Sequence, residues 1–167
     1  MTVIIDGTNG ITSAGNITMS TGGITFNANA GGGTQATLSD YEIGTFTGTL
    51  TGASTNPTTP ITSTGTYIKV GKQVTVGIAF SNVDTTGASG SLVVTGLPFA
   101  THASIPMVGA PPMTYSLPIP GNYNAWYITS TTLNLYQFAN AAGWNPVNIS
   151  AGTGKYVWTT VTYITAS

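Results

Sequence analysis

Two carboxylates, Asp40 and Glu42, form the one close pair of acids in this chain. Residues two apart point to the same face of an extended strand, so the pair could act in glycoside hydrolysis or bind calcium. Two carboxylates in one short segment rarely straddle the sugar bond that such an enzyme cleaves. We therefore expect both acids to cap turns and to pair with Lys69 or Lys72.

His102 is the one histidine. A serine triad would need it beside a carboxylate and an activated serine, and the Gly-x-Ser-x-Gly turn that exposes such a serine does not occur. A zinc site would need further His or Cys ligands, and the chain has no cysteine. We expect His102 to be a loop residue.

The segment Gly152-Thr153-Gly154-Lys155 partly matches a phosphate-binding loop. The full motif needs Gly at position 148 and Ser or Thr at position 156, where Asn148 and Tyr156 stand. A hairpin turn is the expected structure. The sequence thus predicts no catalytic residue, no metal site and no cofactor, and it favours a protein that is not an enzyme.

Aromatic residues are the one group with a binding pattern, because they concentrate in the last third of the chain among Asn and Thr. They are Tyr115, Tyr123, Trp126, Tyr127, Tyr136, Trp144 and Trp158. Aromatic faces stack on sugar C–H surfaces, and amides bond sugar hydroxyls. The candidate glycan-binding residues are Asn122, Tyr123, Asn124, Trp126 and Trp144. The alternative is that these rings pack in the core and at a trimer interface.

Charge is scarce: 4% of the 167 residues are Asp, Glu, Lys or Arg, against about 25% in an ordinary soluble domain. Three lysines and no arginine cannot form the basic patch that nucleic-acid binding needs. Abundant Thr, Gly, Ser, Asn and Val predict strands and turns instead of helices. So uncharged a surface suits a protein fixed in a large assembly.

The start of the chain has neither the basic region nor the apolar core of a signal peptide, and no apolar run is long enough to span a membrane. We expect synthesis in the cytoplasm of a host cell and no membrane insertion.

Residues 1–36 differ from the rest, because an Ile-Thr pair recurs there with Gly or Asn before it. The isoleucines are Ile11, Ile17 and Ile24. Three such rungs are too few to bury their own isoleucines, whereas three chains around an axis could bury them together. The sequence therefore predicts a short trimeric β-stalk at 1–36, with an extended arm lying on another protein as the alternative.

Residues 37–167 follow a Gly-rich hinge and predict an antiparallel β-sandwich, jelly-roll-like, because apolar alternation and turn signals recur every 8 to 12 residues. The predicted strands are 45–51, 67–70, 73–80, 92–95, 105–108, 123–129, 132–138 and 155–165, of which the last is the longest. Phe46 and Leu50 should face the core, as should alternate residues of 73–80. One helical turn is considered at 137–143.

Several segments resemble motifs of bacteriophage tail-fibre and virion-appendage proteins. Residues 38–47 read Leu-Ser-Asp-Tyr-Glu-Ile-Gly-Thr-Phe-Thr, where that family typically has Leu-x-Asp-Tyr-Glu-Glu-Gly-Thr-aromatic-Thr-Pro. Residues 67–76 and 95–99 resemble its second and third motifs, and residues 5–12 resemble its linkers. The likeness covers most of residues 3–99, and it departs from the family at Ile43 and Gly48. It implies a trimeric particle protein with an exposed β-rich head.

Three functions follow as hypotheses. The first is a virion appendage of the tail-fibre or receptor-binding type, a homotrimer attached to other virion proteins, whose three heads hold host surface polysaccharide. The second is a capsid decoration protein whose N-terminal arm lies on the capsid. The third, an enzyme that degrades glycans, is disfavoured by the scarcity of acids. The first two place the protein on the virion surface, on the tail or the capsid.

Overall fold

The structure, a computed structural model, describes residues 24–26, 36–38, 40–104, 107–117, 123–139 and 142–165. The chain divides into two compact units, Met1–Ser39 and Asp40–Ser167. In the first unit, β1 (Ile24–Phe26) and β2 (Ala36–Leu38) pair antiparallel, with Ile24 opposite Leu38. The predicted stalk residues Ile11 and Ile17 lie outside the described residues.

The second unit is one antiparallel sheet, which confirms the all-β prediction. Its strands are β3 (Tyr41–Gly52), β4 (Ile61–Val70), β5 (Gln73–Val83), β6 (Leu92–Thr95), β7 (Met107–Gly109), β8 (Met113–Tyr115), β9 (Tyr123–Thr129), β10 (Thr132–Ala139), β11 (Ala142–Pro146) and β12 (Lys155–Ile164). The order across the sheet is β7-β9-β10-β6-β3-β4-β5-β12-β8, and β11 pairs with β10. Every described element is therefore a strand.

The two-residue period of a strand decides which side chains enter the core. In β5 the residues Val74, Val76, Ile78 and Phe80 are buried, as the alternation predicts. In β3 the buried residues include Phe46 and Leu50, which also confirms the prediction.

Two tight turns set the register of the hairpins. Gly71 has φ +56° and, with Lys72, joins Val70 to its partner Gln73, which suits glycine because the left-handed region strains other residues. The turn of the second hairpin joins Thr129 to its partner Thr132. Both hairpins confirm the predictions.

Several expectations are wrong in detail. Residues 137–139 continue β10 and 142–146 form β11, so the described residues of 137–143 are strand and not the predicted helical turn. The longest described strand is β3, with 12 residues, because pairing extends its start to Tyr41. Strand β8 was not predicted, because its three residues directly follow two prolines. It is a strand because it pairs with the distant β12.

The sheet curls so that β9 and β7 face β12 across the core. The buried indole of Trp126 in β9 donates a hydrogen bond of 2.8 Å to Oγ1 of Thr159 in β12. A Cβ added to Gly109 in β7 would lie 2.7 Å from Cγ1 of Val161 in β12. Strands from distant places in the sheet order therefore meet directly.

Replacing Trp126 by Phe tests this closure. The change removes the indole donor from Thr159 and leaves unfilled volume in a fully buried place. We expect the free energy of unfolding to fall by about 2 to 3 kcal/mol in urea titrations. The matched change Trp144→Phe, at a residue that is 56% exposed, should cost less than about 1 kcal/mol. Equal losses would contradict a closing role for Trp126.

Tyr163 makes the stability of the unit sensitive to alkaline pH. Its buried hydroxyl donates to the carbonyl oxygen of Phe99 at 3.0 Å, and burial raises the pKa of Tyr163 to about 12. The folded state holds this proton more tightly than the unfolded state, whose tyrosine titrates near pH 10. This contribution is therefore complete below pH 10 and is lost as the pH rises to about 12.

We expect urea midpoints measured from pH 9 to 12 to fall across that window, and to fall less steeply in Tyr163→Phe. If the urea midpoint of Tyr163→Phe fell with pH as steeply as that of the wild type, a group other than Tyr163 would be responsible for the loss of stability.

Candidate functional site

The predicted glycan-binding residues separate in the structure. Trp126 is a core residue, so its assignment to a binding surface is wrong. Asn122 lies outside the described residues. Tyr123 begins β9 opposite Phe138, and Asn124 is one residue further on.

Asn124 lies on the inward side of β9, opposite Gln137 of β10. Each of the two amides has a buried side-chain oxygen that no described residue bonds. They face away from the outward rings on the same strands, because alternate residues point to opposite faces. Asn124 and Trp144 therefore do not form one site.

The exposed Trp144 belongs to a cluster of otherwise half-buried rings that we call the aromatic face. Its rings come from β9, β10 and β11, namely Tyr127, Tyr136, Phe138 and Trp144. Trp144 meets Phe138, its cross-strand partner, at a centroid distance of 5.5 Å. The rings meet edge to face, a packing that stabilises the hairpin. None of these four residues is buried in the core, and their packing at a trimer interface stays a prediction.

A second aromatic cluster lies on β8 and β12, at the edge of the sheet. Met113, Thr114, Tyr115, Tyr156 and Trp158 line a groove of about 390 Å³, the aromatic groove. Pairing of β8 with β12 sets Tyr115 opposite Tyr156 and Met113 opposite Trp158. The sequence shows Tyr115 and Trp158 among the aromatic residues, but only the pairing brings them together.

A groove of about 480 Å³ with several threonines in its lining lies on the other side of Trp158, and we call it the threonine groove. It is lined by Thr64, Thr66, Gly77, Ile78, Ala79, Trp158, Thr159 and Thr160. The register places Gly77 between Thr66 of β4 and Thr160 of β12. Hydroxyls thus flank a floor that has no side chain.

The threonine groove lies on the outer face, which we define as the outward residues of β3, β4, β5 and β12. The aromatic groove lies at the β12 edge of this face, beside β8. The residues of the outer face are Tyr41, Ile43, Thr45, Thr47, Thr49, Thr51, Thr62, Thr64, Thr66, Ile68, Val70, Gln73, Thr75, Gly77, Ala79, Ser81, Tyr156, Trp158, Thr160, Thr162 and Ile164. None of them carries a charge, and none is buried. Threonine hydroxyls therefore provide most of the hydration of this face.

An exposed apolar patch lies at one end of the outer face. It consists of Tyr41 opposite Val70 and Ile43 opposite Ile68, and all four side chains are exposed. Apolar side chains that are neighbours on an exposed sheet mark an interaction surface more often than isolated ones do.

The acid pair has a structural role. The buried Lys69 forms an ion pair with Asp40, and its Nζ lies 5.5 Å from the ring centroid of Phe99. Tyr67 donates a hydrogen bond to Glu42, which raises the pKa of Tyr67. The predicted pairing of an acid with Lys69 is confirmed for Asp40.

Replacing Asp40 by Asn should leave the Lys69 ammonium buried without its anion. We expect the free energy of unfolding to fall by about 2 kcal/mol. This is less than for a fully buried pair, because the Asp40 side chain is 42% exposed. Adding Lys69→Met should recover most of the loss, since it removes the unpaired charge and keeps the apolar volume. A double variant as unstable as Asp40→Asn would refute this account.

The other two candidates from the sequence, His102 and the segment 152–155, lie in a loop and at the start of β12. His102 is a loop residue, as predicted, and its Nδ1 accepts from the backbone N–H of Ser104 at 3.2 Å. Gly152 and Gly154 lie in a turn that leads into β12. Because β12 pairs with β5 and β8 and not with the segment just before it, the predicted hairpin turn at 152–155 is wrong. Lys155 donates to the carbonyl oxygen of Ser116 at 2.7 Å.

The described part of the chain contains no group of three or more acidic, His or Cys side chains that could hold a metal ion. Nor does it contain a helix with the length and apolar character of a membrane span.

No protein-family model matches the chain, and no curated protein matches its sequence.

Proposed function

We propose that this chain is a structural protein of a bacteriophage particle, a homotrimeric surface appendage of the tail-fibre or receptor-binding type. The observation that carries the proposal is the uncharged outer face, which covers four strands and combines threonines with exposed apolar residues. A freely diffusing domain normally keeps such a face soluble with charges. A subunit of a permanent assembly does not need them.

The trimer has support from two places in the chain. The isoleucines of the Ile-Thr repeats need cover that a single chain with three rungs does not supply. The apolar patch begins at Tyr41, two residues after the first unit ends, so a second copy held through the first unit could reach it. The resemblance of residues 38–47 to tail-fibre proteins falls on this same junction.

The curled sheet supports the β-sandwich part of the proposal. The inward residues of β9 and β10 share one core with those of β5 and β12, and Trp126 joins the two sides through Thr159. We propose that the two sides act as the layers of a sandwich whose outward surfaces meet the host or other subunits. Three heads on one stalk would hold a host polysaccharide by avidity, even where each site is weak.

A capsid decoration protein is the second candidate, and the outer face also favours it. An uncharged sheet face can lie on a neighbouring capsid protein without burying unpaired charges. In that case the first unit would be an arm on the capsid and not a stalk.

Purified phage particles test the proposal. Antibodies raised against Asp40–Ser167, coupled to gold and viewed by electron microscopy, should label the tail of intact particles. Labelling of the capsid would select the decoration protein instead. If antibodies and mass spectrometry both fail to find the chain in purified particles that the same genome encodes, the proposal is wrong.

A further inference from the structure

Trp158 is the shared wall of the two grooves. The aromatic groove lies on one side of its ring and the threonine groove on the other. The indole N–H donates a hydrogen bond of 2.8 Å to Oγ of Ser81 on β5. Because this bond holds the indole on β5, the ring is oriented before any ligand arrives.

The aromatic groove offers exposed ring faces at fixed angles. The Tyr156 ring is inclined by 73° to Tyr115 and by 77° to Trp158, at centroid distances of 5.8 and 6.0 Å. Tyr115 is 68% exposed and Trp158 is 41% exposed. Such rings present apolar surface to a ligand that has apolar C–H faces, at little cost in side-chain entropy.

The threonine groove offers free hydroxyls. A Cβ placed on Gly77 would lie 3.6 Å from Oγ1 of Thr160 and 3.9 Å from Oγ1 of Thr66, so both hydroxyls lie close above the glycine. Among the described residues, neither hydroxyl has a hydrogen-bond partner, in contrast to Thr75 and Thr162, which bond each other at 2.9 Å. A hydroxyl can donate and accept, as the hydroxyls of a sugar also do.

The uncharged lining of the two grooves favours a neutral ligand. In the part of the chain that the structure describes, no charged side chain lines either groove, and the neighbouring Lys155 donates to the carbonyl oxygen of Ser116. Carboxylated or sulfated sugars would normally be held by arginine or lysine. On β4 the threonine groove borders the apolar patch, because Thr66 is the next outward residue after Ile68, whereas the aromatic groove lies on β8 and β12 at the edge of the sheet.

We propose that Trp158 and its two grooves bind a neutral oligosaccharide. The aromatic groove receives the C–H face of one sugar ring, and the threonine groove bonds the hydroxyls of a neighbouring ring. This inference deepens the proposed function by naming the ligand class and its residues. It rests on that function only for the claim that the sugar belongs to a host cell.

The full-length protein on an array of defined neutral, sialylated and sulfated oligosaccharides tests the proposal. We expect neutral oligosaccharides to be bound, with no gain from acidic groups. Trp158→Ala should weaken binding of the best neutral oligosaccharide by about tenfold, the upper end for one aromatic contact. The matched variant Trp144→Ala, on the aromatic face, should bind like the wild type.

Gly77→Val provides a second variant that is expected to fold. Its Cβ would meet both hydroxyls at ordinary contact distances, a β-branched residue suits a strand, and the branched side chain would fill the floor of the groove. We expect an unchanged melting temperature and at least about tenfold weaker binding than the wild type.

Three results would overturn the proposal. They are no binding of any neutral oligosaccharide on the array, binding that survives both groove variants, and equal loss in Trp144→Ala. Loss of oligomer mass in the groove variants, without neutral-glycan binding by the wild type, would show a contact between copies instead. Absence of the chain from phage particles would overturn the proposed function while a positive array result still supported this site.

Discussion

The structure depends on one constraint, which is that successive side chains of a strand point to opposite faces of the sheet. Each inward residue must fit a core that the sheet closes by curling, and each outward residue must stand in water or against a partner. Trp126 shows the inward requirement, since its hydrogen bond to Thr159 joins strands that lie far apart in the sheet. The outward requirement is met here by threonine, with almost no help from charge.

The three described acids, Asp40, Glu42 and Asp84, all have structural contacts within the sheet unit. Asp40 pairs with Lys69, and Glu42 accepts from Tyr67. Asp84 accepts from the backbone N–H and the hydroxyl of Thr86, which lowers the pKa of Asp84. The acids therefore stabilise strand ends and turns, and the large uncharged surfaces remain for contacts. This division of roles is what we would expect of a protein that binds by shape and hydroxyl chemistry.

The sequence was sufficient where information is local. The alternation of β5 and the turn at Gly71 need only adjacent residues, and both were predicted. In β9 the pattern also held a usable signal, because Trp126 alternates with the apolar Ile128 and should have been placed in the core with it.

The rest depends on pairing between distant segments. The pairing of β8 with β12 sets Tyr115 opposite Tyr156 and Met113 opposite Trp158, residues that are more than 40 positions apart in the chain. The threonine groove needs β4, β5 and β12 side by side. No local pattern encodes those neighbours. The grooves therefore became visible only in the folded sheet, as did the apolar patch formed by β3 and β4.

The central claim is that surfaces of this chain are completed by further copies of it. The mass of the purified full-length protein, measured by sedimentation equilibrium over a range of concentrations, tests that claim most directly. The account predicts a species of three times the 17.0 kDa chain mass. A stable species of a single chain mass at every concentration would contradict it.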